Sequence, residues 1–127
     1  MSTLPAVDIV DVEFAWGLPG LQPHTAFRLE PIAGAEGLAA LRSVDGDVRL
    51  FVLDPPEGYL PQLDAAVLGQ IGAAEASDAR LFVVANPGAD GVYLNLRAPI
   101  VIHRESGRGV QVILEDQGYP IRMLLGA

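Results

Sequence analysis

At 127 residues, half of them hydrophobic and with a mean hydropathy of +0.33, the chain can bury a core and is too apolar to remain unfolded, so it reads as one domain over 1–127. Sixteen acidic residues against eight arginines and no lysine leave a net charge of −8; such a field argues against direct binding to nucleic acid or anionic membrane and steers in basic proteins. The absence of cysteine excludes disulfides and thiolate chemistry, and no segment has the form of a signal peptide or membrane span, so the expected location is the cytoplasm.

Along the chain the apolar pattern repeatedly has period two. Val10, Val12 and Phe14 alternate with Asp11 and Glu13, a half-buried first strand with an acidic outer face. A turn follows at Gly17–Gly20, where Pro19 and Gly20 fit a type II turn; a rigid turn alone and a partner contact both explain these residues. Shorter strands are expected at 25–30 and 37–43, and a longer one at 48–53. Asp45-Gly46 is the best hairpin signal between them.

Asp54-Pro55-Pro56-Glu57-Gly58 breaks the strand pattern. From Gln62 to Gly72, Leu63, Val67 and Ile71 then recur every fourth residue, with Asp64 able to cap a short helix and Gly72 to end it. Strands resume at 80–85, at 95–103, at 109–114 and at 119–124. The whole reads as an all-β, mainly antiparallel fold, a small closed or nearly closed barrel or sandwich with one short helix near 62–72.

No pattern points to catalysis. The chain has four serines, two threonines and two histidines, with no nucleophile elbow and no phosphate-binding glycine loop opening onto a helix. His24 and His103 are far apart in sequence, which gives no metal motif. No catalytic, metal or cofactor residue is assigned, and the chain is read as a binding protein and not an enzyme.

Two stretches are distinctive in combination: Phe14-Ala15-Trp16-Gly17-Leu18-Pro19-Gly20-Leu21, and Asn95-Leu96-Arg97-Ala98-Pro99-Ile100-Val101-Ile102-His103 continuing through Gly109–Leu114. With Leu41-Arg42-Ser43-Val44, Asp54-Pro55, Leu68-Gly69, Ser77-Asp78 and Tyr119 in order, the chain resembles the FliW family over nearly its whole length. The resemblance implies a small β-barrel-like regulator that binds flagellin in the cytoplasm. It also implies binding to the carbon storage regulator, an RNA-binding translational repressor, where the host has one, relieving its block on flagellin synthesis. His103 stands where the family often has asparagine, a departure that bears on the repressor contact. Leu21 stands where phenylalanine is common.

On the second motif, Leu96, Ala98, Ile100 and Ile102 are expected to point at the core and Arg97, Pro99, Val101 and His103 the other way, with Pro99 at an edge or bulge. The candidate partner-binding residues are Trp16, Leu18, Pro19, Tyr59, Tyr93, Asn95, Arg97, Pro99, Val101 and His103, with Trp16, Tyr59, Tyr93 and Arg97 as anchors. A core-only strand is the alternative for that motif. An interaction module with a non-flagellar partner and a small-ligand barrel are the alternatives for the chain.

Overall fold

Strand alternation becomes a ring in the computed structural model, which describes residues 10–14, 17, 18, 21, 24–46 and 48–125. Its elements are β1 (Val10–Phe14), β2 (Ala26–Pro31), β3 (Leu38–Ser43), β4 (Arg49–Leu53), α1 (Ala65–Gln70), a 3-10 turn at Ala76–Asp78, β5 (Ala79–Gly88), β6 (Gly91–His103), β7 (Arg108–Gln111) and β8 (Met123–Leu124). The sheet runs β5-β4-β3-β2-β1-β7-β6, and pairing of β5 with β6 closes seven strands into a barrel. β8 adds to the free side of the first part of β6, opposite Tyr93 and Leu94. The all-β barrel expected from period-two patterning is the observed fold.

Most pairings are local and antiparallel; β1 and β7 alone among the described strands run parallel, with Glu13 opposite Arg108 and Phe14 opposite Gly109. The closing seam needs glycine. Gly107 has φ +79°, and a Cβ there would collide with the Asp11 carbonyl; one on Gly109 would meet the Phe14 ring. The Gly107-Arg108-Gly109 run therefore lets two backbones approach, with Glu13 N donating to Gly107 O at 3.0 Å.

The barrel interior holds Val12, Phe14, Leu18, Phe27, Leu29, Leu41, Val52, Phe82, Ile100 and Ile102, all nearly or fully buried. Phe14 and Phe27 meet edge to face, with ring centroids 5.5 Å apart. On β1 the acidic residues Asp11 and Glu13 face solvent, as alternation requires. The β3–β4 hairpin turns at the expected Asp45-Gly46: Ser43 N donates to Val48 O at 2.9 Å, and the Ser43 hydroxyl donates to Asp45 Oδ1 and accepts from Val48 N.

A second apolar layer lies outside the barrel. Segments 54–63 and 112–122 cross β5 and β6, enclosing Tyr59, Val83, Ala85, Leu94, Leu96 and Leu114. Beside them, Ile71 at the end of α1 packs on Ala79 and Val101. The helix is six residues, shorter than its apolar spacing predicts. Asp64 caps it, its Oδ1 accepting from Val67 N at 2.9 Å, and Gly72 at φ +74° ends it. Leu63 and Ile71, expected within the helix, flank it and carry the packing.

Two expected strands are shorter than predicted. The one at 109–114 stops at Gln111, and that at 119–124 is reduced to β8. Both segments bond instead to an irregular part of β6.

Candidate partner interface

β6 is continuous over thirteen residues but not regular. Phe82 pairs with Ile100 and Val84 with Asn95, so Val83 alone on β5 faces Leu96, Arg97, Ala98 and Pro99 on β6. The bulge coincides with the second distinctive motif. Proline there removes a donor that no ladder uses, which is the bulged position open to Pro99.

Every backbone polar group of this bulge has a partner. Asn95 Oδ1 accepts from Arg97 N at 3.0 Å and Ala98 N at 3.1 Å, the local turn that asparagine favours. Leu96 N donates to Pro120 O at 3.0 Å, while Leu96 O accepts from the Tyr59 hydroxyl at 2.6 Å. The carbonyls of Arg97 and Pro99 accept from Leu114 N at 2.7 Å and Val112 N at 3.0 Å, and that of Ala98 from Gln111 Nε2 at 3.0 Å. An irregular segment satisfied this completely is rigid.

Two tyrosines and two glutamines hold the covering layer in place. Tyr59 is 6% exposed and meets Tyr119 edge to face at 4.8 Å between centroids. Burial first, and the Tyr119 phenol second, push the Tyr59 pKa upward, so it serves as a neutral donor. Gln62 and Gln117 bond reciprocally, backbone to side chain, at 2.8 and 3.1 Å. Arg97 Nε donates to Tyr119 O at 3.0 Å, joining the bulge to its cover.

The candidate residues therefore divide. Tyr93, Asn95 and Arg97 are half-buried along the first half of β6. Tyr93 donates to Asp90 Oδ2 at 2.7 Å, with the Arg122 guanidinium 3.5 Å above its ring. That hydrogen bond, helped by a backbone one and by Arg122, lowers the Asp90 pKa. His103 sits at the other end of the strand, where Nδ1 accepts from Glu105 N and Ser106 N and shapes the β6–β7 turn.

The expected outward row is corrected at two positions. Pro99 is less than 2% exposed and Val101 is 0% exposed, because the outer layer covers the face that a simple barrel would leave to solvent. Leu18 and Tyr59 are also interior, in the barrel and the outer layer respectively. Trp16 and Pro19, with the type II turn expected around them, lie outside the described residues.

Sequence reasoning missed the second core. Pro99-Ile100-Val101-Ile102 is a continuous apolar run, the mark of a strand buried on both faces, and it was the available signal.

A cleft of about 390 Å³ at one barrel end is lined by Val10, Leu29, Leu38, Asp54, Arg80 and Phe82. Arg80 stacks over Phe82 at 4.5 Å and reaches Asp54 at 3.4 Å. Among the described residues no cluster of three or more histidines and carboxylates is placed to hold a metal.

Comparison with known proteins agrees with this fold. The chain is similar to the flagellar assembly factors FliW of Heliobacterium modesticaldum, 30% identical over 91% of this chain and 80% of that one, and of Geobacillus kaustophilus, 36% identical over 85% and 78%. The corresponding protein of Thermotoga maritima is 33% identical over 88% and 80%. A crystal structure of the flagellar assembly factor FliW superposes with a TM-score of 0.82 at 28% identity, covering 90% of this chain and 84% of that one. Since the family model described as FliW protein also matches residues 3–125, the chain belongs to the FliW family of flagellar assembly factors.

Proposed function

We propose that this chain is a cytoplasmic, non-catalytic regulator that binds flagellin and, where the host has it, the carbon storage regulator, thereby relieving repression of flagellin synthesis. The observation that carries the reading is the rigid bulge at Asn95–Pro99. It carries the motif most distinctive of the resemblance, and its backbone bonds are all satisfied within the chain. A pre-ordered irregular strand presenting Asn95, Arg97 and Tyr93 suits recognition of a protein surface at low ordering cost. Pro99 and Tyr59 act in this reading by shaping the bulge from within, while Leu18 and Val101 belong to the cores behind it.

Calorimetric titration with the host's own monomeric flagellin tests it. Saturable binding, weakened by Arg97→Ala, is the expected result. Absence of heat and of co-migration with flagellin would overturn the reading. A second titration with the carbon storage regulator then decides between a flagellin chaperone alone and a translational switch.

A further inference from the structure

Three of the eight arginines stand side by side on the outside of the barrel. The register puts Arg28 on β2 directly opposite Arg42 on β3, and Arg42 opposite Arg49 on β4, while the alternate residues Phe27, Leu29, Leu41 and Val52 belong to the barrel interior. Asp11 on β1 ends the row, opposite Arg28, and all four side chains are exposed. Like charges directly opposite on a sheet cost stability, so strand pairing does not by itself account for three arginines in line. Each guanidinium is nevertheless held. Arg28 Nε lies 3.5 Å from Asp11 Oδ1, Arg42 is paired with Glu30, and Arg49 lies over the Phe51 ring at 5.0 Å with no ion-paired carboxylate among the described residues. These contacts leave most of the five donors of each guanidinium available. The three arginines against Asp11 and Glu30 leave a charge of +1, whereas the five arginines and fourteen carboxylates elsewhere leave −9. Val44, 58% exposed, lines the same shallow depression as Arg28 and Arg42 and sets an apolar contact beside them.

The spacing of the row selects what it can receive. Residues opposite one another on neighbouring strands have Cβ atoms about 4.5–5.5 Å apart, and residues three or four positions apart on a helix about 5–6 Å, whereas alternate residues of an extended strand repeat at about 6.8 Å. Carboxylates along one face of a helix therefore fall in step with the arginines, and those of an extended strand do not. We propose that the row of Arg28, Arg42 and Arg49 docks an acidic helix of a partner polypeptide, laid across β2, β3 and β4 with its Asp or Glu side chains meeting successive arginines. A guanidinium takes a carboxylate through two parallel hydrogen bonds, and the sheet beneath fixes the separation of the three forks. The row lies on β2 to β4 and the bulge on β6, so this surface is additional to the interface proposed above and does not depend on it.

The probe is a capped, alanine-based helical peptide with glutamate at every fourth position and a fluorophore at one end, titrated with the full chain at one moderate ionic strength. Its control has the same composition with the glutamates scattered around the helix. A saturable rise in anisotropy with the striped peptide, and affinity about tenfold or more weaker for the scattered one, is the expected result. Arg28→Gln/Arg42→Gln/Arg49→Gln should weaken binding of the striped peptide about tenfold or more. Because that change leaves Asp11 and Glu30 without their partners, Arg49→Gln is measured beside it; it keeps both pairs, should melt with the parent, and should bind about three- to tenfold more weakly. The proposal is overturned if the striped peptide does not bind, if striped and scattered peptides bind alike, or if both variants bind like the parent.

Discussion

The barrel interior and the outer layer are both apolar, yet they are assembled differently. Inside, alternate residues of the strands point inward, and Phe14, Phe27, Leu41 and Phe82 belong to one buried apolar cluster. Outside, segments distant in sequence lie across β5 and β6 and are fastened by side-chain hydrogen bonds from Tyr59, Asn95, Gln111 and Gln117. Side-chain packing across regular ladders holds the first, and a directed side-chain polar network registers the second. The outer layer is therefore the part that can be loosened selectively, and it is also the part that frames the bulge.

The largest effect is expected inside. Phe27→Ala removes a ring that is 0% exposed and should cost about 3–5 kcal/mol, lowering the denaturation midpoint of the whole chain. Val101→Ala, beneath α1, should cost roughly 1–3 kcal/mol, and hydrogen exchange should show the loss concentrated around α1 and the start of β5. Equal loosening of β2 and β3 would mean that the two cores are one cooperative unit.

Tyr59→Phe strands the Leu96 carbonyl and should cost about 1–3 kcal/mol, read as faster exchange at the amides of 96–98. It also predicts a pH signature. The Tyr59 pKa is raised in the fold above its ordinary 10.0, so folding favours the neutral phenol and stability is full below that value. Stability should fall as pH rises beyond about 10 in the parent, more steeply than in Tyr59→Phe. Parallel pH profiles would remove Tyr59 from the account. Asn95→Ala should cost about 1 kcal/mol by releasing the amides of Arg97 and Ala98, whereas Asn95→Asp, which keeps the acceptor, should stay closer to the parent.

What was legible in the sequence follows the same division. Alternation in β1 and β4 and the Asp45-Gly46 turn are local signals, and β1 to β4 lie within a residue or two of the expected ends, whereas β5 runs three residues further, β6 begins four residues earlier and β7 stops three residues sooner than expected. Asp64 and Gly72 likewise marked the helix, though not its shortness, because Leu63 and Ile71 pack from the flanks. The two faces of β6 were not legible. Whether Val101 meets water depends on Ile71 and Ala79, whose proximity no period reveals. Nor does sequence spacing announce that Tyr59 reaches Leu96, 37 positions away. Asn95 and Arg97 were selected as surface contacts from the motif, and the fold adds a second duty to each, one building the bulge and the other tying down its cover.

The parallel seam between β1 and β7 bears on when the molecule can exist. Glu13 pairs with Arg108, 95 positions further on, so β1 waits for β7 to be made on the ribosome before its second edge is covered. Until then β1 has β2 beside it and an open backbone edge on the other side, a template for wrong pairing. The exposed Asp11 and Glu13 place negative charge along that waiting strand and disfavour its association with another copy of itself. Closure therefore belongs to a late, long-range step of folding, and a high contact order of this kind makes such a step slow relative to formation of the β2–β3–β4 hairpins.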